Sequence, residues 1–154
     1  MVDVLTEIII NCPVRKVSEY AANPVNAPEW YVNINSAEWQ TPKPLERGSK
    51  IAFKADFLGK QLSYVYQIAE YIPGKKLVMR TADGPFPMET TYTWESNDGQ
   101  TTRMTLRNKG NPAGFSLLFS PFMSLMMKRA NNKDLKKIKS ILENVRDKPT
   151  YPLT

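Results

Sequence analysis

The residues best suited to act on another molecule are aromatic side chains with polar tips and flexible thioethers, recurring at every second position through the middle of the chain. Phe53 and Phe57, Tyr64 and Tyr66, and Tyr92 and Trp94 keep even spacing within their segments, and Met79 and Met104 stand in neighbouring segments of the same texture. Side chains two apart on a strand share a face, so this set forms one wall. Phe119, Phe122, Met123 and Met126, later in the chain, can face it. Aromatic bodies and thioethers suit an adaptable enclosure for an apolar ligand. Buried phenols at Tyr64, Tyr66 and Tyr92 need hydrogen-bond partners, which a ligand oxygen or a water can supply. The same residues also read as an ordinary packed core, because aromatics on an inner sheet face usually are one. The pattern alone leaves both readings open.

Other chemistry is excluded by composition. The chain has no histidine and a single cysteine, Cys12. A Ser-His-Asp triad, a Cys-His dyad, a His-ligated metal, a cysteine-built zinc site and an internal disulfide are all ruled out, and neither metal nor cofactor is expected. Cys12 lacks a histidine to activate it and is a poor nucleophile. Glu89 and Glu95 fall on the strand face opposite Tyr92 and Trp94, where carboxylates are solvated. Arg80 shares its side with Val78 and Ala82, against Leu77, Met79 and Thr81 on the other. It is either an outward cation or, if turned inward, a partner for a ligand carboxylate. No residue set stands out as catalytic.

The net charge is +6, and it is unevenly placed. Lys128, Arg129, Lys133, Lys136, Lys137, Lys139, Arg146 and Lys148 meet only Asp134, Glu143 and Asp147, which leaves +5 in that window. A basic surface can attract nucleic acid or anionic lipid. Here the lysines fall off the apolar stripe of their segment, which reads as a solvated helix face. Without interleaved exposed aromatics or a known motif, nucleic acid is not an expected partner. The longest strongly apolar stretch begins at Phe115 and ends at Met127, and Ser116, Ser120, Pro121 and Ser124 interrupt it. A bilayer span needs roughly 20 apolar residues, so stable membrane insertion is not expected. The stretch still holds more apolar side chains than one helix face buries. A second subunit, giving a homodimer, or a membrane touched during lipid exchange are both uses for the surplus. The N-terminus lacks a secretory signature, and with one cysteine a cytoplasmic setting is expected.

The elements that must position these residues are readable in order. Residues 3–10 alternate as a strand with Val4, Thr6, Ile8 and Ile10 on one face. Asn11 as a cap and Pro13 in a first turn predict a helix to about Ala22, ended by Asn23-Pro24. Residues 25–32 read as a second short helix carrying Trp30 and Tyr31. Six strands follow, at about 36–41, 49–58, 60–72, 76–82, 87–95 and 101–108, punctuated by Gly59, Pro73-Gly74, Asp83-Gly84-Pro85 and Asn97-Asp98-Gly99. From Pro121 a long helix buries Phe122, Leu125, Met126, Arg129, Leu135, Ile138, Leu142 and Val145 at three- and four-residue steps and ends at Lys148-Pro149. The result is one domain over residues 1–148 and a loose tail over 149–154. Its strands form an antiparallel sheet whose apolar face only the terminal helix can cover, with the first strand at a sheet edge or closing it.

Several stretches resemble one known superfamily. They are Ile8-Ile9-Ile10-Asn11-Cys12-Pro13-Val14-Arg15-Lys16-Val17, Asn26-Ala27-Pro28-Glu29-Trp30, Gly48-Ser49-Lys50-Ile51, Glu70-Tyr71-Ile72-Pro73-Gly74-Lys75-Lys76-Leu77, and Asp134-Leu135-Lys136-Lys137-Ile138-Lys139-Ser140-Ile141-Leu142-Glu143. In this order and spacing they are similar to the START-related superfamily, in particular its small bacterial members akin to polyketide cyclase/dehydrase, lipid-transport and birch-pollen-allergen-like proteins. The resemblance implies an α+β helix-grip fold: a curved antiparallel seven-stranded sheet, in the order β-α-α-β6-α, wrapped around a long C-terminal helix. It also implies a cavity between them that binds or carries a small hydrophobic molecule such as a lipid or polyketide. The wall and helix residues named above would line that cavity. Trp30 and Tyr31 would stand at its entrance or staple the short helices to the sheet. Gly59, the Asp83-Gly84-Pro85 turn and the loop over residues 110–114 would complete the mouth. Two alternatives accompany this reading: a cyclase/dehydratase acting on a polyketide-like substrate without metal or histidine, and a protein-interaction module with a filled core.

Overall fold

Period-two alternation becomes a single sheet. In the computed structural model, β1 (Val2–Ile10) is followed by α1 (Val14–Ala22), a 3-10 turn (Pro24–Asn26) and α2 (Ala27–Trp30). Then come β2 (Ile34–Trp39), β3 (Lys50–Phe57), β4 (Lys60–Ile72), β5 (Lys76–Asp83), β6 (Met88–Glu95), β7 (Thr102–Gly110) and finally α3 (Ser120–Asp147). The structure describes residues 2–57, 59–84, 86–96, 98–111 and 120–147. The seven strands pair antiparallel in the order β1-β7-β6-β5-β4-β3-β2, so β1 joins at one edge and β2 forms the other. This is the helix-grip architecture. The β4–β5 turn depends on Gly74, whose φ of 78° is a conformation that side chains with a Cβ disfavour.

The pairing registers set the inner wall. Phe53 lies opposite Tyr64, Met79 opposite Thr90, and Thr90 opposite Asn108. The β4–β5 register shifts between Val65 and Tyr66 and again between Ile68 and Glu70. An extra residue in one strand bends it and increases its local twist.

At the other edge α3 is tied to the end of β1. The Cys12 thiol donates to the Leu142 carbonyl at 3.5 Å, and Glu143 accepts the Asn11 N–H at 2.9 Å. Lys139 Nζ donates to the Ile9 carbonyl at 2.7 Å. Beside these ties, Leu135, Ile138 and Leu142 bury into a core with Ile10, Trp30, Ile51, Ile68, Leu77, Met104 and Leu106. Lys128, Arg129, Lys133, Lys136 and Lys137 face solvent and Lys139 is half-buried.

Three local expectations change. The segment over residues 25–32 is a 3-10 turn and one α turn rather than a continuous helix, because Pro24 and Pro28 each restart the chain. Helix α1 starts at Val14 with Pro13, not Asn11, at its cap position, and there is no side-chain cap bond because proline has no side-chain acceptor. The buried face of α3 runs back from Leu142 through Ile138, Leu135, Asp134 and Asn131 to Met123, not through Arg129, Met126, Leu125 and Phe122. Phe122 is 64% exposed, and Leu125 and Met126 are also exposed. Leu135, Ile138 and Leu142 are buried as expected, but choosing the most apolar residues puts the first half of the stripe, Phe122 to Arg129, about one residue out of phase, because the true face carries two polar side chains midway.

Candidate functional site

Where α3 turns its polar pair toward the sheet, the described residues leave space between the two layers. A cavity of about 590 Å³ lies between the two. That volume falls in the range of small-molecule sites, roughly 300–1,000 Å³. Strands β3 to β6 supply Phe53, Tyr64, Tyr66, Met79 and Tyr92 to its wall; the segment after α2 supplies Tyr31, and α3 supplies Met126, Asn131 and Asp134. Phe86, Met88, Leu62 and Ile34 add apolar surface.

The expected site residues divide into groups. Phe53, Tyr64, Tyr66, Met79, Tyr92, Tyr31 and Met126 border the cavity. Trp94 and Met104 share the inner face but lie deeper, buried in the packed core. Met123 is buried against Val2 and Val4 near β1, and Phe122 points to solvent. Trp30 is 0% exposed, so it is a packed staple and not part of an opening. Its ring lies 4.2 Å from that of Tyr31 and 5.6 Å from that of Tyr92, and so it buttresses two lining phenols. Phe119 and the side chain of Phe57 lie outside the described residues, as do Pro85 and residues 112–114 of the expected mouth. Gly59 borders the cavity. Arg80 faces outward, paired with Glu89 at 2.7 Å.

A directed chain of hydrogen bonds crosses from sheet to helix. Thr90 Oγ1 donates to Asn108 Oδ1 at 2.6 Å, and Asn108 Nδ2 donates to Asn131 Oδ1 at 3.0 Å. Thr90 has one proton and it goes to Asn108. The Tyr66 hydroxyl, 2.8 Å from Thr90 Oγ1, is therefore the donor in that contact. At the end of the chain, Asn131 Nδ2 is buried without a partner among the described residues. The Tyr31 and Tyr92 hydroxyls meet at 2.5 Å. One donates to the other, which leaves one phenolic proton of the pair without an acceptor among the described residues. The Tyr64 hydroxyl makes no hydrogen bond among the described residues. Its ring is held by stacking on Phe53 at 5.5 Å and by an edge contact with Tyr66 at 5.1 Å.

Burial dominates the electrostatics. It holds the Tyr31, Tyr64 and Tyr92 hydroxyls well above the usual phenol range and pushes Tyr66 up to about 12, so all four are neutral donors. Asp134 is the one buried acidic or basic side chain among the described residues. Burial raises its carboxyl to about 6, against the pull of the Val32 N–H and of Lys137. Its Oδ1 accepts that Val32 N–H at 2.8 Å, which ties α3 to the segment after α2. Arg129 and Lys133 border the cavity from exposed positions.

Asp134, Asn131, Asn108 and Thr90 are absent from the sequence-derived site. The available signal was a polar residue on the buried helix phase: Asn131 lies four before Leu135, and Asp134 four before Ile138. Among the described residues no cluster of acidic or cysteine side chains is placed to hold a metal ion. No helix of the described residues is long and apolar enough to cross a membrane.

A family model described as polyketide cyclase / dehydrase and lipid transport matches residues 1–143. No curated protein sequence matches the chain. Among solved structures, the Zhui aromatase/cyclase from Streptomyces sp. R1128 superposes with a TM-score of 0.79 at 12% identity, covering 95% of this chain and 96% of that one. A START superfamily protein from Mycobacterium smegmatis gives 0.79 at 10% identity, over 93% and 98% of the two chains. A protein from Thermus thermophilus gives 0.78 at 17% identity, over 93% and 98%. At such identities the likeness is one of fold.

Proposed function

We propose, from the premise that this chain belongs to the polyketide cyclase / dehydrase and lipid transport family, that it binds a small hydrophobic molecule between the sheet and α3. The observation that carries the reading is the cavity of about 590 Å³ walled by aromatic, thioether and aliphatic side chains. Apolar burial drives such binding at roughly 25 cal/mol for each Å² removed from water, and the few polar groups set orientation. The interaction-module alternative expects a filled interior, and the cavity weighs in favour of the ligand-binding reading instead. Native mass spectrometry of protein purified from its own cells tests the reading. Co-purified lipid, polyketide or similar adduct is the expected result. Protein that carries no adduct and takes up no neutral apolar dye, such as N-phenyl-1-naphthylamine, refutes it.

One observation favours a second reading, a cyclase or dehydratase. Asp134 is an ionisable group beside the cavity with a carboxyl raised to about 6, close to the value that suits proton transfer at neutral pH. Its carboxylate would take a proton from a carbon next to a carbonyl, while phenolic donors stabilise the oxygen that gains charge. The discriminating variant is Asp134→Asn. Under this reading it abolishes turnover of a poly-β-ketone substrate and retains dye uptake. Under the carrier reading it leaves no turnover to lose.

A further inference from the structure

The polar groups of the cavity are unevenly supplied with partners, and this imbalance describes the ligand. Tyr66 gives its proton to Thr90, so it has none left to offer. Tyr64, whose hydroxyl has no protein partner among the described residues, and one member of the Tyr31–Tyr92 pair each retain a phenolic proton. Tyr64 is half-buried and lines the cavity, so an incoming ligand oxygen takes the place of water as the acceptor of its hydroxyl. The site therefore asks for an acceptor. It does not ask for an anion: no lysine or arginine is buried among the described residues, and the one buried charge-bearing group beside these phenols is a carboxyl, Asp134. Arg129 and Lys133 border the cavity only from exposed positions on α3. A carboxylate pushed inward would meet Asp134 in a low-dielectric setting, with no buried cation among the described residues to offset the repulsion.

We propose that the cavity takes a ligand whose innermost group is a neutral carbonyl (a ketone, aldehyde, ester or amide), its oxygen accepting the Tyr64 hydroxyl, and that it rejects a carboxylate there. The inference rests on the cavity-binding reading above and narrows it: a free fatty acid entering head-first is excluded. Tyr64 suits the task because Phe53 and Tyr66 fix its ring, so little side-chain freedom is lost on binding.

The test is displacement of N-phenyl-1-naphthylamine by 2-undecanone, undecane and undecanoate at pH 8, from the wild-type chain and from Tyr64→Phe, which keeps the ring and removes the donor. In the wild type the ketone displaces dye at about tenfold lower concentration than the alkane, the worth of one buried hydrogen bond. Undecanoate is the weaker of the two oxygenated ligands. In Tyr64→Phe the ketone-to-alkane ratio falls toward one, each protein serving as its own reference. Infrared spectra of the ¹³C-labelled ketone supply a second readout: the bound carbonyl stretch moves to lower frequency in the wild type and returns in the variant. Dye uptake with equal ketone and alkane affinity, a ratio indifferent to Tyr64, or undecanoate as the tightest of the three overturns this inference and leaves the cavity reading standing. Absence of any saturable uptake overturns both.

Discussion

Replacing Asp134 with asparagine should make the protein more stable, and by an amount that depends on pH. The side chain is 3% exposed, and burial raises its carboxyl from the ordinary value of 3.8 to about 6. A carboxyl that holds its proton more tightly when folded than when unfolded favours the folded state in acid and opposes it in base. Below pH 3.8 both states are protonated and the opposition vanishes. It grows through the window from 3.8 to 6, and above that window it is complete. The interval corresponds to about 3 kcal/mol at pH 8, and about half of that at pH 5. Asparagine keeps a carbonyl oxygen to accept the Val32 N–H and has no charge to bury. Urea denaturation of both proteins at pH 8 and pH 5 reads the difference. At pH 8 the variant's midpoint should rise by about 1.5 M, and at pH 5 by about half as much, for a slope near 2 kcal/mol/M. Every other titrating group is common to the two proteins and cancels in the comparison. A gain equal at both pH values, or a loss at pH 8, would show that the carboxyl is solvated or paired when ionised and would refute the reasoning.

Three further tests probe the walls of the site. Asn131→Leu removes the acceptor of the Asn108 amide and should cost about 1–3 kcal/mol in urea, while Asn108→Leu with Asn131→Leu together should cost less than the sum of the singles; strict additivity would mean that the chain from Tyr66 to α3 does not act as a unit. A Cβ at Gly84 would stand 3.0 Å from Tyr64 Cβ and 3.1 Å from Thr81 Cγ2, so Gly84→Ala should displace Tyr64 and weaken dye uptake severalfold, and a variant with full affinity and an unmoved ring would contradict that packing. Trp30→Ala, at a fully buried position behind Tyr31 and Tyr92, should lower stability by about 3–5 kcal/mol in thermal or urea unfolding, whereas a loss below about 1 kcal/mol would assign Trp30 to an opening and not to the core.

The strands were legible because alternation has only one period to satisfy. The tight punctuation at Pro73-Gly74 set where β4 turns back, and even spacing put Phe53, Tyr64, Tyr66 and Tyr92 on one face. The order of elements was likewise enough to place the chain in its superfamily. The helix was harder. Its buried phase passes through Asn131 and Asp134, so a search for the greasiest stripe slid one position to Phe122 and Met126. Polar side chains on a buried helix face look like errors in a pattern until the void they face is known.

What the amino-acid order determined by itself is local and periodic: which residues form strands, which side of each strand is apolar, and where a sheet of this kind needs a covering helix. Which inner-face residues meet a ligand and which meet each other was decided only by the tertiary structure. Trp94 and Met104 share a face with Tyr92, and all three belong to the core that includes Leu135, Ile138 and Leu142 of α3, yet of the three only Tyr92 also borders the gap between sheet and helix. That distance depends on where β1 holds the far end of the helix, through Asn11, Cys12 and Lys139, contacts that join residues more than a hundred positions apart in sequence. No short-range period encodes such a separation, because a gap is a property of two surfaces and not of either one.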